Sequence, residues 1–110
     1  MAKGDYLGEF EHLVLLAVLR LNKQAYGVPI RQEIEDCTGR SVAIGAVYAT
    51  LDRLEQKGYV SSHLGDATAE RGGRAKRYFR ITSEGAAALR QTQQALRQMM
   101  KGLKAVENFS

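Results

Sequence analysis

Between Glu9 and Asn22 this chain of 110 residues carries Phe10, Leu13, Val14, Leu15, Leu16, Ala17, Val18, Leu19 and Leu21. Wound at about 3.6 residues per turn, these side chains cover nearly the whole circumference of a helix. A helix that is apolar all round has to be covered on more than one side. The chain is long enough for one domain, since domains cluster at about 100–150 residues. One small core is not expected to surround such a helix, so a second copy of the chain is expected to cover the rest. The same length excludes large enzyme folds such as the eight-stranded barrel, which takes roughly 250 residues.

A second helix is predicted from about Gly27, with Pro29 in its first turn, where a missing N–H is harmless. Ile30, Ile34 and Cys37 form its apolar stripe, Thr38-Gly39 ends it, and Cys37 reads as a small core residue. A third helix is predicted from about Ala43 to Lys57, stopped by Gly58, with Ile44, Val47, Leu51 and Leu54 as its stripe. Beside or opposite that stripe lie Gly45, Ala46, Tyr48, Ala49, Asp52 and Arg53, and side chains this small let a helix come close to another surface. Two strands follow, Tyr59 to Leu64 and Lys76 to Ile81; Phe79 and Ile81 alternate with Tyr78 and Arg80 as in a half-buried strand. The glycine-bearing segment between them reads as a long hairpin tip. Thr82 has the character of an N-cap, with Glu84 in the first turn of a last helix that runs from Ser83 to about Glu107. In that helix Leu89, Leu96 and Leu103 recur every seven residues, as do Thr92, Met99 and Val106, which gives a heptad seam suited to a second subunit.

The order is three helices, two strands and a helix. The fold expected is mostly α with a small β-hairpin: a winged helix-turn-helix over residues 1–82 and a C-terminal dimerisation helix over 83–110. In such a domain the third helix has the width that a DNA major groove admits, and the hairpin tip reaches an adjacent groove or backbone. The net charge of +4 is compatible with a polyanionic partner, and its placement says more. Arg71, Arg74, Lys76, Arg77 and Arg80 fall within ten positions that hold no acidic residue, and phosphates are bound by cations of this kind.

The stretches Glu11 to Leu19, Tyr26-Gly27, Ala46 to Glu55, Lys57-Gly58-Tyr59-Val60, Arg71-Gly72-Gly73-Arg74 and Tyr78-Phe79-Arg80-Ile81-Thr82 closely resemble the PadR family of bacterial transcriptional regulators, from about residue 9 to 90. The short last helix is similar to that of the small, single-helix branch. The resemblance implies a homodimer that represses transcription from a pseudo-palindromic operator. Tyr48 matches the family's recognition-helix tyrosine, which touches the DNA backbone, and Arg71-Gly72-Gly73-Arg74 matches the wing. Some members bind aromatic or drug-like effectors between subunits, in a pocket made by the first and last helices. Leu96 falls near the place of a ligand-stacking tryptophan in one such branch. Ala46 stands where threonine is common in the family, and Ala49-Thr50 where proline is frequent.

The expected DNA contacts follow. Gly45, Ala46 and Ala49 lie nearest the bases, Arg53 has a longer reach, and Tyr48, Arg71, Arg74, Lys76 and Arg77 hold phosphates about the Gly73 hinge. Phe10, Val14, Leu89, Leu96, Met99, Leu103 and Val106 are expected at the dimer interface. A small hydrophobic or aromatic effector would meet Leu13, Leu16, Ala17, Leu89, Gln93, Leu96, Met99 and Met100. No enzyme, metal or cofactor is expected. His12 and His63 sit in no ligand or nucleophile motif, and Glu33 and Glu35 point to different sides of their helix. A single cysteine suits a reducing cytoplasm. The longest apolar run, Leu13 to Leu19, is far short of the roughly twenty residues a membrane span needs. The alternative is a winged-helix adaptor that binds proteins without specific DNA binding, although an adaptor has no use for the five unopposed cations near the tip.

Overall fold

The computed structural model describes residues 6–65 and 76–104. Helix α1 (Glu9–Leu21) leads through a 3-10 turn (Asn22–Gln24) to α2 (Gly27–Thr38) and α3 (Ile44–Gln56). The hairpin strands β1 (Val60–Leu64) and β2 (Arg77–Ile81) follow, and then α4 (Ser83–Met100). The strands pair antiparallel with Ser62 opposite Phe79 and His63 opposite Tyr78. The Phe79 N–H donates to the Ala25 carbonyl at 2.8 Å, and Tyr26 bridges Tyr78, so the segment before α2 lies along the outer edge of β2. Arg71, Gly73, Arg74 and Val106 lie outside the described residues.

The core is built around α1. Its Val14 and Leu15 are fully buried, against Ile30 and Ile34 of α2, Val47, Leu51 and Leu54 of α3, Phe79 of β2, and Ala88 and Leu89 of α4. The chain's own elements bury Val14, Leu15, Ala17 and Val18 of a helix for which a second copy was expected to cover the rest. Val14, expected at a dimer interface, sits wholly inside its own subunit. Phe10, Leu13 and Leu16 are half-buried and Leu19 is exposed. Cys37 is exposed rather than a core residue, because the last turn of α2 passes the edge of the core. Its thiol lies 3.5 Å from a Glu33 carboxylate oxygen.

Thr82 caps α4 as its sequence position suggests. Its hydroxyl oxygen accepts from the Gly85 N–H at 3.0 Å and donates to the Gly58 carbonyl at 2.6 Å. A Cβ at Gly85 would stand 2.1 Å from the Tyr59 carbonyl oxygen, so only glycine lets α4 start this close to the hairpin. The heptad seam then divides. Leu89 and Thr92 are buried at home, and the Thr92 hydroxyl accepts the Leu7 N–H at 3.1 Å. Leu96, Met99 and Met100 are exposed. Two expectations change with this. Leu89 belongs to the subunit's own core, and α4 ends at Met100 instead of near Glu107. Gly102 turns the chain with a φ of +82°, and exposed Leu103 lies past the end of the helix.

Charge fixes α3 on both flanks. Glu11 is a buried carboxylate whose Oε1 accepts the Gly8 N–H at 2.9 Å. Its Oε2 accepts from Arg53 Nε at 3.3 Å, in the C-terminal half of α3, and from Lys57 Nζ at 2.8 Å, just past the end of that helix. On the other flank Arg77 of β2 donates to Asp52 at 3.0 Å and to Glu55. Burial alone would raise the Glu11 pKa, but the hydrogen bonds from Lys57, Gly8 and Arg53 outweigh it and hold the carboxyl below its ordinary value. A carboxylate depressed in this way contributes stability above its unfolded pKa of about 4.3 and loses it as pH falls through the folded value. Glu11→Gln should therefore lower unfolding free energy at neutral pH by about 1–3 kcal/mol, the range for losing hydrogen bonds to a charged group. Urea unfolding should show parent and variant converging as pH falls below 4. A constant gap across that window would refute the ion-pair role.

Candidate nucleic-acid interface

Helix α3 buries Val47, Thr50, Leu51 and Leu54 and turns Gly45, Ala46, Tyr48 and Ala49 outward. Among the described residues a Cβ at Gly45 would meet nothing within 4 Å, so none of them requires a glycine there. Among the described residues no side chain caps the first turn of α3, where the Ala46 N–H donates to the Ala43 carbonyl and those of Ile44 and Gly45 are left open. The free N–H groups of such a turn, with the positive end of the helix dipole, favour an anion nearby. The first two turns thus offer a low, uncluttered surface at the positive end of the helix.

Tyr48 is the large side chain on this face and is 39% exposed. It leans over the start of α2, where a Cβ at Gly27 would come within 2.2 Å of its hydroxyl oxygen and 2.3 Å of Cζ. Gly27 is therefore the gap that lets the Tyr48 ring lie where it does. Next to Gly27, the ring of Tyr26 meets that of Tyr78 edge-on at 5.3 Å, and His63 stacks on Tyr78 at 5.7 Å. Lys76 Nζ stands 4.5 Å over the Tyr26 ring and donates to its hydroxyl at 3.1 Å. The start of α2, the outward face of α3 and the root of the hairpin thus place two tyrosine hydroxyls and an ammonium in one neighbourhood. Such groups hold backbone phosphates.

The structure separates the expected site residues into kinds. Gly45, Ala46, Tyr48 and Ala49 share the outward face of α3, and Lys76 stands with Tyr26 at the hairpin root. Arg53 and Arg77 occupy the two edges of α3, paired to carboxylates of their own chain. Two positioning residues escaped the sequence: Gly27, because no periodicity links residue 27 to residue 48, and Glu11, because nothing in its spacing marks it as buried.

The residues expected to meet an effector do not converge in the single chain. Leu13, Leu16 and Ala17 line a groove of about 190 Å³ between α1 and α2, with Ile34 and Cys37 on its far wall. Leu89 is buried, Gln93 lies 3.4 Å from the His12 ring, and Leu96, Met99 and Met100 are exposed along α4. Among the described residues no three His, Cys, Asp or Glu side chains gather as a metal site, and no helix is long and apolar enough to cross a membrane.

Solved structures share this architecture. A PadR-family transcriptional regulator from Eggerthella lenta is 25% identical with a TM-score of 0.68, over 86% of this chain and 82% of that one. A transcriptional regulator from Clostridium thermocellum superposes with a TM-score of 0.69 at 24% identity, over 86% of this chain and 92% of that one. A PadR-family regulator from Clostridium difficile gives 0.65 at 23% identity, over 84% and 92%. No curated protein matches the sequence. The transcriptional regulator PadR-like family matches it over residues 15–91, from the middle of α1 through the hairpin and into α4. Members of that family are DNA-binding proteins rather than enzymes. The chain is a winged-helix member of the PadR-like family of transcriptional regulators.

Proposed function

We propose that this DNA-binding regulator works as a homodimeric cytoplasmic repressor on a pseudo-palindromic operator. The observation that carries the reading is the outward face of α3: Gly45, Ala46 and Ala49 leave it low enough for close approach to base edges, while Tyr48 stands beside them. Each copy lays that face into a major groove and sets its wing on the neighbouring backbone or minor groove. Two-fold symmetry then asks for half-sites about 34–36 Å apart. Phosphates fall to Tyr48, to Lys76 at the hairpin root and to the wing's Arg71 and Arg74. Arg53 and Arg77 support the same surface by bracing α3 through Glu11, Asp52 and Glu55.

The second copy docks on the bare half of α4 and the residues just past its end. Leu96, Met99 and Leu103 are 54%, 78% and 66% exposed, and apolar surface of this size on a small domain favours a partner. Met100 is exposed on the same stretch, and half-buried Phe10 of α1 is the other side chain proposed to meet the second copy. Dimerisation would bring the apolar residues of α4 toward a second α1, whose Leu13, Leu16 and Ala17 supply walls for a hydrophobic effector.

Three measurements test these assignments. Gly27→Ala should leave helix content intact and weaken operator binding about tenfold, the weight of one hydrogen bond to a charged phosphate. In a Tyr48→Ala background the same change should be silent, and unchanged affinity of the single variant would remove Tyr48 from the interface. Arg74→Ala should weaken binding to all duplexes alike and flatten the slope of log affinity on log salt by about one unit. An unaltered slope counts against a phosphate contact. Leu96→Asp should yield folded monomers by ultracentrifugation, because the site is exposed in one chain and buried only on assembly. A persistent dimer would place the seam elsewhere.

A further inference from the structure

The hairpin has two faces with different neighbours. By the strand register, Ser62, Arg77 and Phe79 face inward, and the pairs Ser61–Arg80 and His63–Tyr78 face outward. The 3-10 turn after α1 runs past this outward face. Between the two lies a cleft of about 520 Å³, lined by Asn22, Lys23, Ser61, His63, Tyr78 and Arg80 among others. Two cations line it, Lys23 from the 3-10 turn and Arg80 from β2, and among the described residues no carboxylate does. Elsewhere in the molecule Arg20, Arg40, Arg53, Lys57 and Arg77 each meet a carboxylate of the chain. Among the described residues Lys23 and Arg80 meet none, nor do Arg31, Lys76, Arg90, Arg97, Lys101 and Lys104, but Lys23 and Arg80 are the two that line one cleft. Past Arg80 and Asn22, which belong to both, a smaller recess of about 120 Å³ opens, walled by Val18, Leu19 and Ile81. One continuous surface therefore offers two unopposed cations, several hydroxyl, amide and ring donors, and an apolar end.

We propose that this cleft binds a small phosphomonoester carrying a short apolar body, at a site that shares His63 and Tyr78 with the root of the hairpin and is separate from the outward face of α3 and from the α4 seam. A phosphomonoester carries about −1.5 to −2 charge at neutral pH, with three acceptor oxygens, so it satisfies both cations and the neighbouring donors at once. A carboxylate brings one charge and two oxygens and leaves one cation unmet. The apolar body lies on Leu19 and Ile81, which accounts for an exposed leucine beside an arginine at this edge of the sheet. Ligand held there ties the turn after α1 to β2, the strand whose other end carries the wing.

Calorimetry on the full chain at pH 7.5 tests the site with four probes: hexyl phosphate, hexanoate, inorganic phosphate and 1-hexanol. Hexyl phosphate should saturate one site per chain, and each of the others should bind at least about tenfold more weakly, the loss of one charge-assisted contact or of the apolar body. Lys23→Gln and Arg80→Gln should each weaken hexyl phosphate by a similar factor at unchanged helix content. Leu19→Ser should weaken hexyl phosphate and leave inorganic phosphate as it was. No saturable binding of hexyl phosphate at millimolar concentration overturns the proposal, as does hexanoate binding equally well. Retention of parent affinity by both charge variants overturns it too.

Discussion

The buried carboxylate of Glu11 and the guanidinium of Arg77 hold α3 from its two sides. The apolar stripe of Val47, Leu51 and Leu54 seats the helix on the core, but a stripe alone permits rotation and sliding between near-equivalent packings. Glu11 reaches the helix from α1 through Arg53 and Lys57, and Arg77 reaches it from β2 through Asp52 and Glu55. Both sets of contacts fall in the second half of α3 or just past its end. In the first half Val47 still seats the helix on the core, and the outward residues Gly45, Ala46 and Ala49 take no part in these ion pairs. A helix braced by ion pairs near one end and uncluttered on the outward side of the other suits a surface that has to enter a groove of fixed width without rearranging itself.

The same economy appears where α2 meets α3. A tyrosine on one helix takes up the space left by a glycine on the other, and the residue before that glycine is stitched to the hairpin by a bridge, a ring contact and a lysine. Two helices and the wing are thereby registered against each other through side chains that remain partly in solvent. The interface is set by contacts at the surface as well as by the core below it.

Much of this was legible in the sequence because the signals are local. The stripe of α3, the cap at Thr82, the alternation of Phe79 and Ile81 and the stops at Gly39 and Gly58 each follow from spacing a few residues long. The errors come from long-range packing. Cys37 continues a stripe that the core does not extend far enough to cover. Val14 and Leu89 belong to patterns that suggested another subunit, yet α4 folds back and supplies the missing cover itself. The sequence repeat continues to Val106, but the helix stops at Met100 and Gly102 follows with a left-handed backbone. Glu11 and Gly27 were silent because their partners lie 46 and 21 positions away, at Lys57 and Tyr48.

The division of α4 has a mechanical consequence. Its first half is rooted by Gly85, Ala88, Leu89 and Thr92, and its second half projects as a rigid rod. From Thr92 to Met100 the rod extends about 12 Å, so tilting it by about 10° at the root displaces its tip by about 2 Å. The residues that set this tilt, Leu7 and Thr92 among them, are buried far from the tip. Small changes of volume in that pivot would be amplified into a change of aim at the distal methionines, with no alteration of the rod's own chemistry.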